Sequence, residues 1–338
     1  MRGLVVGCGS IGKRHLQNLK SLGIGELGVV ESDEERRQRA ADELGIATFA
    51  ALSEGLRGSP DFVVIATPTY LHVEQALEVA SHGFALFVEK PLSHTPAGIA
   101  ELSKAVQRRG LVSMVGCNMR FHPGPRKVKE LLTQGRLGKI LCARIHAGSY
   151  LPAWRPGTDY RTNYAAREET GGGCILDCIH EIDLARWYLG DVQEVFCAAG
   201  HLSSLEISTE DVAVLVLRHS SGALSEVHLD YVQRTYERGC QIAGENGSIF
   251  WDVRQKQVRW YDAASDHWTT FEQPTGWPLN QMYLDEMQHF LDCVAAHQPT
   301  AMPVPEAAAV MEIVFAAKAS AREGRMVATG ARQGSAVR

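Results

Sequence analysis

Residues 3–12 read Gly3-Leu4-Val5-Val6-Gly7-Cys8-Gly9-Ser10-Ile11-Gly12, and this stretch decides the fold. A short apolar run without polar alternation ends at Gly7, the pattern of a strand buried on both faces. From Ile11, apolar residues recur at helical spacing through Leu16 and Leu19 to Leu22, and Gly23 stops the run. Between strand and helix, three glycines fall as G-x-G-x-x-G. Glycine is common, so the pattern alone is weak; strand before and helix after supply the context in which it cradles a dinucleotide. Gly7 permits the tight turn, Gly9 lets main chain approach a pyrophosphate, and Gly12 lets helix and strand close. The N–H groups of the first helical turn, around Ser10 and Ile11, and the helix dipole favour phosphate. A purely structural glycine turn is the other reading.

The flanking chain supports the first. Strand-like runs at 27–30, 61–67, 85–89 and 111–117 alternate with helical patterns, each closed by a glycine. Ser32-x-x-Glu35 reads as a capping box for a helix to Leu44. His72 to His82 reads as a helix, and Thr95 with Pro96 predicts the start of another that Gly110 ends. Apolar strands separated by helices imply a doubly wound parallel sheet, expected over residues 1–122.

After Pro123 the texture changes. Helix 124–134, strand 140–147 and helix 175–189 enclose residues 148–172, which show no periodicity; a segment of that length is usually functional. Strand-like runs follow at 194–199, 211–218, 223–230, 238–243, 248–253, 257–262 and 267–272, with turn residues between them. They predict a second α/β domain over 123–330 with a large, mostly antiparallel open sheet, ended by helices 280–297 and 305–323. Residues from Gly330 to Arg338 read as a loose tail.

Composition narrows the function classes. The 338 residues are 45% hydrophobic and 22% charged, with a formal net charge of -5. Such a chain buries sizeable cores and is a poor match to nucleic acid, which draws on basic surface. No apolar run reaches the length of a membrane span. The eight cysteines form no C-x-x-C pair, and no secretory signal pattern opens the sequence. A reduced, cytoplasmic protein without a metal centre is expected.

Candidate site residues fall at strand ends. Glu31 ends the second strand, where a carboxylate accepts from a ribose hydroxyl and repels a 2′-phosphate; this favours NAD over NADP. Arg36 and Arg37 follow it, as a solvated face or as phosphate ligands. Thr67-Pro68 and His72 follow the strand at 61–67, on the side where such sheets bind cofactor. Glu89-Lys90-Pro91 ends the next strand. A lysine there can stabilise a developing alkoxide, although an exposed ion pair is the commoner fate of a lysine. In Gly171-Gly172-Gly173-Cys174-Ile175-Leu176-Asp177-Cys178-Ile179-His180-Glu181-Ile182-Asp183, helical spacing places Asp177, His180 and Asp183 on one face. An imidazole flanked by carboxylates suits a base that removes a hydroxyl proton, or merely a satisfied core histidine.

These motifs resemble the Gfo/Idh/MocA family of NAD(P)-dependent sugar oxidoreductases. The resemblance runs over nearly the whole chain: GCGSIGKRH at the start, ATPTYLH, EKP, and GGGCILDCIHEIDLARWYLG. It implies a Rossmann domain followed by an α/β domain whose open sheet mediates dimers or tetramers. It implies Lys90, Asp177 and His180 as the catalytic set, with Asn118 and Arg120 bordering the substrate. Many members have D-x-x-x-H where this chain has Asp177-x-x-His180, so Asp183 is an alternative partner for the histidine. In the irregular segment, Trp154 and Tyr160 can pack on sugar, and Arg155, Arg161 and Arg167 can read a carboxylate. That predicts an acidic or nucleotide-linked sugar, unless the arginines pair with Asp159, Glu168 and Glu169. The reaction expected is hydride transfer between a sugar carbon and nicotinamide, with His180 as acid/base and Lys90 assisting. Transient use of tightly bound NAD for epimerisation, elimination or glycoside cleavage, and a sensor without catalysis, are the competing functions.

Overall fold

The computed structural model of the chain describes residues 1–330, so residues 331–338 of the expected tail lie outside the described residues. Chain contacts divide it into two units, Met1–Asn118 with Pro278–Ala308, and Met119–Trp277 with the chain from Ala309.

In the first unit, β1 (Arg2–Val6) leads to α1 (Ser10–Ser21), β2 (Glu26–Val30), α2 (Glu34–Leu44), β3 (Ala47–Phe49), α3 (Leu52–Leu56), β4 (Phe62–Ile65), α4 (His72–His82), β5 (Ala85–Val88), α5 (Ile99–Arg109) and β6 (Ser113–Val115). The strands form one parallel sheet in the order β3-β2-β1-β4-β5-β6. Order reverses between β1 and β4, and their carboxyl ends carry the glycine turn and Thr67. A doubly wound sheet binds its ligand at such a switch point. The core is what the apolar runs require: Val5, Val29 and Val63 to Ile65 are fully buried.

Two caps differ from expectation. Asp33, not Ser32, caps α2, accepting from Arg36 N at 2.8 Å. Thr95 and Pro96 do not start α5; Gly98 caps it instead, at φ 74°.

The second unit opens with α6 (Pro123–Thr133) and β7 (Ile140–Gly148). Residues 151–170 form successive single turns. Then come α7 (Cys174–Asp177), α8 (Ile179–Leu189), β8 (Val192–Gly200), β9 (Val212–His219), β10 (Leu224–Asp230), β11 (Glu237–Gly244), β12 (Gly247–Asp252), β13 (Gln257–Asp262) and β14 (His267–Glu272). Past α9 (Gln281–Ala296) and α10 (Val304–Glu323), β15 (Val327–Ala328) adds an edge strand. The nine-stranded sheet runs β14-β13-β12-β11-β7-β10-β9-β8-β15, antiparallel except where β10 joins β7. One face is covered by α8, as the alternation of β9 and β10 demands.

The chain passes from the first unit to the second after Asn118, and α9 returns to the first unit. Phe290 on α9 packs edge-on against Phe62 and Phe87 at 5.8 and 5.6 Å. Periodicity shows that such a helix has an apolar face, but not which core receives it.

Candidate active site

In the first unit the glycine turn is built for close approach. A Cβ on Gly12 would collide with the Gly7 carbonyl oxygen, so only glycine lets α1 start so near β1. Gly9 caps α1 without a side-chain hydrogen bond, the first turn holds no acidic residue, and the space a Cβ would occupy there is open. Uncapped N–H groups beside an open backbone fit a pyrophosphate.

Glu31 is buried beside this turn. Its Oε2 accepts from Cys8 N at 2.9 Å and its Oε1 from Asp33 N at 3.1 Å. Carboxylate lone pairs remain for a ribose hydroxyl. Both flanking arginines are engaged: Arg36 lies 3.5 Å from Glu31 Oε1, and Arg37 donates to the Glu31 carbonyl at 2.8 Å. Neither stands as an uncommitted phosphate ligand, which favours an unphosphorylated ribose.

Thr67 is half-buried and donates from Oγ1 to Gln75 Oε1 at 2.7 Å; Pro68 is exposed. His72 is buried against the main chain, 2.8 Å from the Thr67 carbonyl and 2.9 Å from that of Pro91. At the end of β5, Glu89 Oε1 lies 2.6 Å from His15 Nε2. Its Oε2 accepts from Lys90 N at 3.2 Å. Burial alone would raise Glu89, but the His15 ring and the Lys90 ammonium hold its carboxyl below the usual range. Lys90 is therefore presented from an anchored turn, and the Lys90–Pro91 peptide is cis.

In the second unit, the expected single helix over 175–189 is broken at Cys178 (φ -90°, ψ 34°). Asp177 ends α7 and His180 lies in the first turn of α8, so they do not share one continuous helix face. Gly173 (φ 106°) precedes α7, and a Cβ there would strike the carboxylate of Glu210. Glu210 accepts from Ile175 N at 3.1 Å, satisfying a donor at the start of α7. Asp177 Oδ1 accepts from the Tyr164 hydroxyl at 3.0 Å, and both Asp177 and His180 are buried. Beneath them Tyr231 is fully buried, edge-on to Trp154 at 5.2 Å.

The other expected site residues fare differently. Asp183 does not serve the histidine as a spare carboxylate. Arg120 holds it in a buried fork, Nε to Oδ2 at 2.9 Å and Nη2 to Oδ1 at 2.6 Å. Arg120 is thus tied into a structural pair. Asn118 is buried at the start of a single turn in the first unit. Tyr160 accepts from Glu206 N at 3.1 Å. Arg161 is held by Asp159 at 2.8 Å and Glu206 at 3.1 Å, and Arg167 lies 3.9 Å from Glu169. Arg155 is exposed, over the Tyr164 ring at 5.6 Å, and no carboxylate engages it among the described residues. Tyr164, Glu210 and Tyr231 escaped the sequence reading, since no periodicity connects them to Asp177. No group of three His, Cys, Asp or Glu side chains gathers as a metal site among the described residues.

Comparison with known proteins fits both halves. Residues 1–117 match the oxidoreductase family with an NAD-binding Rossmann fold, and residues 126–250 match the GFO/IDH/MocA C-terminal domain. The chain belongs to the GFO/IDH/MocA family. It is 30% identical over 339 residues to myo-inositol 2-dehydrogenase of Thermotoga maritima, covering 97% of this chain and 98% of that one. It is 28% identical to scyllo-inositol 2-dehydrogenase (NAD(+)) of Bacillus subtilis, over 97% and 96% of the two chains. A crystal structure of a probable dehydrogenase from Thermotoga maritima superposes with a TM-score of 0.81 at 28% identity, over 97% and 99%. Like its family, this protein is an NAD-dependent oxidoreductase with a Rossmann unit. GFO/IDH/MocA dehydrogenases act on alcohol groups of sugars and polyols.

Proposed function

We propose that this protein oxidises a secondary hydroxyl of a cyclic polyol or sugar, reversibly, with NAD. The supporting observation is the buried Asp177, fixed by the Tyr164 hydroxyl three residues before His180 in the sequence. Bound nicotinamide supplies the hydride acceptor. His180 takes the hydroxyl proton on an imidazole nitrogen, and Asp177 supports the charge it gains. Lys90, presented by the anchored Glu89 turn, donates a hydrogen bond to the substrate oxygen and stabilises the negative charge developing there. Gly7, Gly9, Ser10, Ile11 and Gly12 cradle the pyrophosphate, Glu31 accepts from the ribose, and Thr67 with Pro68 border the ring.

The arginines of the irregular segment favour an uncharged substrate. Asp159 and Glu206 hold Arg161, and Arg167 has Glu169 3.9 Å away, which leaves little to read an acidic group. The inositol dehydrogenases among the relatives point the same way. Arg155 alone keeps an acidic-sugar reading in play. Following NADH fluorescence with myo-inositol, neutral aldoses and uronates tests this. Turnover with a neutral polyol or sugar is expected, with a small effect of Arg155→Ala. Turnover confined to uronates and lost in Arg155→Ala would establish the acidic reading. NAD-dependent conversion without net NADH would replace dehydrogenation by transient redox.

The outer face of the nine-stranded sheet exposes Leu141, Phe196, Val216, Leu224 and Trp268. We assign this face to a second copy of the chain, giving a dimer or tetramer. Light scattering of Val216→Glu checks it, and an unchanged mass would refute it. All eight cysteines are free thiols, which suits a reducing cytoplasm.

A further inference from the structure

The ring of His72 makes a demand on protons. Nδ1 lies 2.9 Å from the Pro91 carbonyl oxygen and Nε2 lies 2.8 Å from the Thr67 carbonyl oxygen. Both partners are carbonyls, which only accept. A neutral imidazole carries one N–H, so it can satisfy one of them; at the other its lone pair would face an oxygen lone pair. Two hydrogen bonds at these distances require two N–H donors.

The surroundings pull in both directions. His72 is 1% exposed, and burial, the largest influence on it, holds the ring below the usual imidazole range. The two carbonyls and the Glu89 carboxylate favour the charge, and His94 opposes it. These are the titratable groups that face the ring from the neighbouring elements. On α9, burial, with Glu89 adding to it, pushes the Glu286 carboxyl well above the usual range. The lone-pair conflict of a neutral ring at 2.8–2.9 Å decides in favour of the doubly donating form.

We propose that His72 is a positioning residue for Lys90: donating from both ring nitrogens, it ties the Thr67 turn at the end of β4 to the Pro91 carbonyl. Glu89, the residue before Lys90, is held by His15 of α1, and Pro91, the residue after it, is held by His72 of α4. The lysine therefore sits between two buried imidazole anchors from different helices. The other end of the same clamp holds the Thr67 carbonyl in the turn that follows β4. This goes beyond the function proposed above and rests on its role for Lys90.

Two measurements test it on the full-length protein. The first is nitrogen-15 NMR of histidine-labelled protein near neutral pH, with His72→Gln identifying the signal. Two protonated ring nitrogens on His72 are expected; one protonated nitrogen overturns the two-donor clamp. The second is the kinetics of His72→Gln and His72→Leu beside Lys90→Met. A lost anchoring bond should lower kcat about tenfold with NADH affinity within about twofold, and glutamine, which keeps one donor, should retain more activity than leucine. If kcat per folded molecule stays at the wild-type value in both His72 variants while Lys90→Met is inactive, the positioning role is wrong and the lysine's role stands. If Lys90→Met itself turns over normally, the function assigned to Lys90 fails first.

Discussion

The Tyr164 hydroxyl donates to Asp177 Oδ1 across 3.0 Å, joining the irregular segment to the end of α7. Thirteen residues separate them. The link holds because a Cβ on Gly172 would meet the carbonyl oxygens of Tyr164 and Ala165 at 2.5 Å, so glycine lets the two segments touch. Tyr164→Phe keeps the ring and removes one hydrogen bond to a carboxylate. It should lower kcat by roughly 10- to 100-fold, the worth of a charge-assisted bond, while NAD affinity holds. Steady-state kinetics with cofactor titration checks this; unchanged kcat would detach Tyr164 from the chemistry.

Glu31 is the expected discriminator between cofactors. Replacing it by serine removes the acceptor of Cys8 N and the charge that repels a 2′-phosphate. The kcat/KM ratio for NAD over NADP should fall by at least about tenfold. A constant ratio would place discrimination elsewhere.

Arg120 matches a stretch expected to border the substrate, and its guanidinium pairs with Asp183 inside the fold. Arg120→Met strands a buried carboxylate and should cost about 3–5 kcal/mol of stability. Urea unfolding measures that loss. A raised KM with wild-type stability would restore the substrate role.

His122 makes acid stability a test of the second unit. Its Nδ1 accepts from Gly124 N at 3.1 Å, capping α6, which requires the neutral ring. Burial, with Arg238 adding to it, lowers His122 from 6.5 to about 4. The folded pKa lies below the unfolded one, so the unfolded chain takes up the proton first. Stability is whole above pH about 6.5 and drains away as pH falls toward 4, by about 3 kcal/mol in all. His122→Asn supplies a non-titrating cap and should flatten that part of the stability profile. Equal acid slopes in the two proteins would contradict the assignment.

The parallel sheet was legible because strands buried on both faces write continuous apolar runs, as Phe62 to Ile65 do. Ala47–Phe49 and Leu52–Leu56 were not, being too short for a period to show. The break at Cys178 left no mark because neither glycine nor proline signals it, and helical spacing continues through it. Lys90, Asp177 and His180 stood out from motif and resemblance. Tyr164 and Glu210 did not, since their roles arise from backbone approach at Gly172 and Gly173. Pairing of Arg161 with Asp159 was one of the two sequence readings, whereas Glu206 as its second partner, 45 residues on, left no local signal.

In the proposed reaction His180 takes the hydroxyl proton with Lys90 assisting. Single-turnover formation of NADH, measured across pH for wild type, His180→Ala and Lys90→Met with the best polyol found, tests it most directly. NAD affinity should be preserved in both variants. Hydride transfer should slow by about 10²- to 10⁴-fold in His180→Ala, with the acid limb of the profile lost. Wild-type rates and an unchanged profile in His180→Ala would contradict it.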